Sequence, residues 1–70
     1  MYLNLKAEMI RNNISQYDLA KILDISTSTL SEKMNCKKDF KLTECKKIKA
    51  IFFKNCSLEY LFETKEDENK

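Results

Sequence analysis

Apolar residues recur along this chain at helical spacing. Leu5 and Met9 stand one turn apart, Leu19, Ala20 and Leu23 share a face, and Leu30 and Met34 repeat at i and i+4. Cys45, Ile48 and Phe52 follow at i, i+3 and i+7, with Ile51 beside them. No run alternates apolar and polar residues over more than a few positions, and the turn dipeptides that make hairpins are missing. The pattern predicts an all-α chain. Its first helix runs from about Asn4 to Asn12, with Leu5 and Met9 facing inward and Lys6, Glu8 and Arg11 outward. Asn12-Asn13 closes that helix, because asparagine tolerates the left-handed backbone that glycine usually provides there.

The polar positions between these runs read as helix starts. Ser15 and Asp18 form a variant capping box, in which hydroxyl and carboxylate each satisfy an amide at the head of the second helix, and Ile14 packs back as a staple. Ser26 caps a third helix from Thr27 to Met34 or Asn35. A fourth covers Leu42 to Phe53, with Lys46, Lys47, Lys49 and Lys54 on its wet side. Ser57 caps a last short helix, Leu58 to Phe62, that buries Leu58, Leu61 and Phe62. From Glu63 onward the chain reads ETKEDENK, too polar to order itself. With no internal repeat and no interior linker, residues 1–62 form one five-helix domain and residues 63–70 a flexible acidic tail.

Only a few residues separate the second and third helices, so the two must cross steeply, one bracing and the other protruding. At ~100° per residue, with Leu30 and Met34 toward the core, Ser28 and Glu32 point outward and Ser31 and Asn35 flank them. Hydroxyls both donate and accept, and short side chains let a helix seat in a groove ~12 Å wide. An ordinary polar helix face has the same composition; the steep pivot before it favours a helix that reads DNA.

Composition narrows the function further. Seventy residues allow one domain with a modest core. Cys36, Cys45 and Cys56 are odd in number and lack C-x-x-C spacing, and no charged-then-apolar leader precedes them, which reads as reduced thiols in a cytoplasm. Cys45 and Cys56 suit small core positions. Cys36, near Lys33, Lys37 and Lys38, is the thiol whose surroundings favour oxidation. Without histidine there is no imidazole base and no ready fourth ligand for zinc, and without glycine no phosphate-cradling loop of the usual kinds. Glu8, Asp18, Glu32 and Glu44 are scattered as on solvated faces. The expectation is a protein with no catalytic function, metal or cofactor. Ala50 to Phe53, the longest apolar run, is far short of the ~20 residues that cross a bilayer. Net charge is +2, but residues 1–62 carry 11 basic and 7 acidic side chains, a net of +4, against 2 and 4, a net of −2, in 63–70. A mildly basic body suits nucleic acid.

Gln16, Leu19, Ala20, Leu23, Ile25, Ser26, Thr29, Leu30 and Asn35 fall where the Cro/phage-repressor (XRE) helix-turn-helix pattern, Q-x-x-L-A-x-x-L-G-[VI]-S-x-x-T-[IVL]-x-x-x-x-N-G, expects them. The resemblance continues through S-L-E-Y-L-F at Ser57 to Phe62, and so covers nearly everything from Asn4 to Phe62. It implies a phage-repressor-like (lambda repressor-like) five-helix fold and a transcriptional regulator, prophage-encoded or bacterial. Such a protein binds double-stranded operator DNA as a homodimer with its third helix in the major groove. Carried across position by position, the resemblance assigns Gln16, Thr27, Ser28, Ser31 and Glu32 to base edges. Lys33, Asn35, Lys37 and Lys38 go to phosphates. Phe53, Tyr60 and Phe62, in or beside the last helix, are the dimer candidates. Two family glycines are replaced, by Asp24 in the turn and Cys36 after the third helix, and a family ion pair between the first and third helices becomes Met9 and Met34. Asp24 suits a left-handed turn; Cys36 implies a changed backbone or some strain. The same fold also serves as a protein-binding module, an antirepressor, antitoxin or adaptor, and mild basicity with Glu32 on the reading face keeps a regulatory protein partner open.

Overall fold

Serines before three of the amphipathic runs cap helices in a computed structural model that describes residues 2–64. Five helices follow in order: α1 Leu3–Arg11, α2 Gln16–Leu23, α3 Thr27–Met34, α4 Leu42–Phe52 and α5 Leu58–Leu61. Their ends lie within a residue or so of those read from periodicity, and there is no strand among the described residues. Most of the expected acidic tail, residues 65–70, lies outside the described residues.

One apolar cluster joins all five elements. Leu5 and Met9 from α1, Leu19 and Ala20 from α2, Leu30 and Met34 from α3, Ile48 from α4, and Leu61 from α5 are buried in it, together with Phe53 just after α4. Met9 and Met34 both sit in this core, so neither helix carries a charge at these two buried positions. α2 packs against α3 and α4, while α5 lies between α1 and α4. A second, aromatic cluster closes one side: Tyr2, Phe40 and Phe62 meet edge to face, with centroids 5.2–5.7 Å apart. Phe40 comes from the segment between α3 and α4, so this cluster ties that segment to both ends of the chain's helical body.

The first three helices end alike. In α1 the Ile14 amide donates to the Met9 carbonyl and the Asn13 amide to Ile10; in α2 Ile25 donates to Ala20 and Asp24 to Lys21; in α3 Lys37 donates to Glu32 and Cys36 to Lys33. These paired bonds are Schellman closures, and each requires a left-handed residue, here Asn13, Asp24 and Cys36. All three have φ between 59° and 65°. The expected left-handed Asp24 and the asparagine closure of α1 are both present. At Cys36 the backbone is left-handed without a glycine, so the strain falls on a side chain with a Cβ.

Candidate nucleic-acid interface

The helix-turn-helix is assembled from short local bonds. At the head of α2 the Ser15 hydroxyl accepts from the Asp18 amide at 3.2 Å, while the Asp18 carboxylate accepts the Ser15 amide at 2.9 Å and its hydroxyl at 3.0 Å. The Ser15 amide, and then its hydroxyl, hold the Asp18 pKa below its ordinary value. Three residues, Asp24 to Ser26, turn the chain into α3, with Ile25 packed against the core. Ser26 starts α3: its hydroxyl accepts from the Thr29 amide at 3.1 Å and donates to the Thr29 hydroxyl at 2.9 Å. Ser26 and Thr29 thus use their hydroxyls to build the helix start.

The polar side chains around them are in solvent. Gln16 at the first position of α2, Thr27, Ser28 and Glu32 on α3, and Asn35, Lys37 and Lys38 beyond it are all exposed; Ser31 is half-buried. The Ser28 hydroxyl stands 3.3 Å from that of Ser26, within reach of the helix's first turn. Glu32 does not project alone. Its carboxylate lies 3.1 Å from the Lys38 ammonium, so the one acidic group on this face is balanced by a lysine from the following loop. With most of both side chains in water, that pair adds little to stability.

Lys33 corrects an expectation. Assigned from the sequence to a phosphate, it is only 7 % exposed, and its ammonium turns inward to the Glu44 carboxylate at 2.8 Å and the Asp39 carbonyl at 3.3 Å. The Phe40 ring lies 5.9 Å away. The cause is helical geometry: positions 30, 33 and 34 share the inward face of α3, and a buried ammonium must find an anionic partner. Burial raises the pKa of Glu44, but the bond from Lys33, the Lys41 amide and the nearby lysine charges outweigh it, and the net shift is downward.

Glu8 is the second correction. Expected outward, it is 7 % exposed, because positions 5, 8 and 9 form the same i, i+3, i+4 face on α1. Its carboxylate accepts from Arg11 at 2.5 Å and from the Tyr60 hydroxyl at 2.9 Å. That bond, then burial, pushes the Tyr60 phenol above its ordinary pKa and fastens α5 to α1. Asn4 adds to the same joint by donating to the Tyr60 carbonyl at 2.9 Å. Phe53, offered from the sequence as a dimer contact, is a third correction: it is 3 % exposed and belongs to the core. Phe62 is half-buried in the aromatic cluster, and Tyr60 keeps 37 % of its surface in solvent.

Among the described residues, no group of three His, Cys, Asp or Glu side chains gathers as metal ligands, and no helix is long and apolar enough to cross a membrane. Cys36 is exposed, while Cys45 and Cys56 are partly covered; burial, then Glu44, pushes the Cys45 thiol up. A shallow 290 Å³ depression beside the head of α4 is lined by Leu23, Lys41, Thr43, Glu44 and Lys47, a polar wall with two cations.

No curated protein and no solved structure matches the chain. A family model does, over residues 4–67, a span that takes in all of α2 to α5, most of α1 and part of the tail. On that match, and with the helix pair, caps and solvent-facing α3 just described, the chain belongs to the Cro/C1-type helix-turn-helix DNA-binding domain family.

Proposed function

We propose that this protein is a sequence-specific transcriptional regulator of the Cro or phage-repressor kind, which binds operator DNA as a homodimer through α3. The observation that carries the reading is the outer face of the helix-turn-helix. Gln16, Thr27 and Ser28 stand in solvent at the amino ends of α2 and α3, where short donors and acceptors suit base edges and helix amides suit phosphates. Ser31 and Glu32 extend that face by one turn, and Asn35, Lys37 and Lys38 border it with groups for backbone phosphates. Dimer contacts fall to the last two helices, where Tyr60 and Ile51 leave 37 % and 47 % of their surfaces in water and Phe62 is partly open.

Two single substitutions separate the roles. Ser28→Ala reduces the preference for a selected site over random duplex, by about 1–3 kcal/mol if the hydroxyl makes its full share of a base contact. Lys37→Ala weakens binding to both duplexes alike and flattens the salt dependence by about one phosphate. The reverse pattern refutes the assignment. Fragments selected from a random duplex library by a dimer carry a palindrome; selected single half-sites contradict dimeric binding.

The burial of Lys33 and the Glu32–Lys38 pair leave the face less basic than its composition suggests, which favours a second reading, a module that binds a regulatory protein with the same fold. The two readings part at low salt, where only a DNA binder associates with random duplex.

A further inference from the structure

We infer that Lys33 is a positioning residue of the DNA-binding surface: with Glu44 it clamps the segment after α3, and so fixes where Lys37 and Lys38 stand relative to the reading helix. The inference rests on the DNA-binding reading above. Lys33 leaves the inward face of α3 and reaches the far end of the loop, donating to the Asp39 carbonyl and to Glu44 Oε1. The same Oε1 accepts the Lys41 amide at 3.0 Å, the bond that starts α4. One carboxylate oxygen therefore joins the reading helix to the first turn of the next. Phe40, beside the ammonium, packs on Tyr2 and Phe62, so the clamp is continuous with both ends of the helical body.

The near end of the loop is held separately, by the Lys37 and Cys36 amides on the Glu32 and Lys33 carbonyls. Lys37 and Lys38 thus stand on a segment pinned at both ends. Core packing alone does not ask for this arrangement, since methionine fills such an inward position, as it does next door at Met34. A buried ion pair is a weak source of net stability, because desolvation offsets most of the attraction. What it supplies here is a fixed geometry between α3, the loop and α4, and a lysine held in place loses less freedom when it meets a phosphate.

The test compares Glu44→Ala, Glu44→Gln and Lys33→Met in the full chain. Each binds a random-sequence duplex across a salt series, with helicity recorded under the same conditions. Both Glu44 variants remove one negative charge, so charge counting makes both bind DNA more tightly and by the same amount. The clamp separates them. Glutamine loses the charge pairing, and with it some stability, but keeps an oxygen that accepts from Lys33 and Lys41, so its salt slope matches the parent while it is folded; alanine loses that oxygen, and the slope becomes shallower by about 0.9, one phosphate contact. Lys33→Met gives the same loss, and Lys37→Ala added to it costs little more, because the two act on one contact. Folded Glu44→Ala and Glu44→Gln proteins that bind alike overturn the inference. So do additive losses from Lys33→Met and Lys37→Ala, which make Lys33 a direct phosphate contact. Reduced melting temperature with unchanged binding in Glu44→Ala and Lys33→Met makes the clamp structural only and also overturns it. A parent protein that does not bind duplex at low salt defeats the DNA reading itself, a failure visible before any variant is compared.

Discussion

Asn13, Asp24 and Cys36 end the first three helices with φ of 59°, 60° and 65°, in a chain that contains no glycine. Asparagine and aspartate visit that region with a modest penalty, whereas a side chain without local hydrogen bonding carries roughly 1–2 kcal/mol. Cys36→Gly is therefore expected to stabilise the protein by about 1 kcal/mol, an increase of roughly 4–8 °C in melting temperature for a domain of this size. Asn13→Gly should change it much less, and thermal unfolding of the two variants checks the order. Glu44 gives a pH prediction. Its folded pKa is depressed, so its contribution to stability is present above the ordinary value of 4.5 and is lost as pH falls through the lower folded value. Glu44→Gln should remove that part of the acid sensitivity, seen as a flatter fall of melting temperature below pH 4.5. Asn13 and Asp24 are legible in the sequence as side chains that tolerate the left-handed region, whereas for Cys36 the sequence leaves a changed backbone or strain open, and the structure has the left-handed backbone. Glu8 and Lys33 depart from the expectation, because charge alone does not place a side chain in solvent. Their spacing, i+3 from Leu5 and from Leu30, already placed them on the inward faces.

Helices were the most legible level, and for a local reason. Ser15, Ser26 and Ser57 each accept the amide three residues on, so start signals in the sequence became starts in the structure. The ends were less sharp: α1 begins and stops one residue earlier than expected, and α4 and α5 each stop one residue early, at Phe52 and Leu61. Phe53, one step past α4, thereby leaves the helical pattern and turns into the core, a contact that periodicity within the helix does not reveal. Ser26→Ala removes the cap of the reading helix and should cost about 1 kcal/mol, measured by denaturant unfolding. Leu30→Ala, at a side chain with no exposed surface, should cost roughly 2–5 kcal/mol and leave little folded protein at 37 °C. The segment between α3 and α4 was the least legible. It has no periodicity, and its order comes from Phe40 and Lys33 meeting partners remote in sequence.

At the scale of the molecule, one small core holds five helices so that α3 presents hydroxyls and lysine-bordered loops outward, the arrangement that the Cro/C1-type family uses on DNA. The mild excess of basic side chains in residues 1–62 overstates the free positive charge on the α3 face, because Lys33 is buried against Glu44 and Lys38 is matched by Glu32. Affinity for DNA should accordingly be modest for one protomer and depend on a dimer bridging two half-sites. The central claim is that this face meets the phosphate backbone of a duplex. Binding to random-sequence duplex, followed from low to physiological salt, tests it most directly. The account predicts association at low salt that weakens linearly in log K against log salt, with a slope of several counterions for a dimer. No detectable binding at low salt, or binding indifferent to salt, would contradict it.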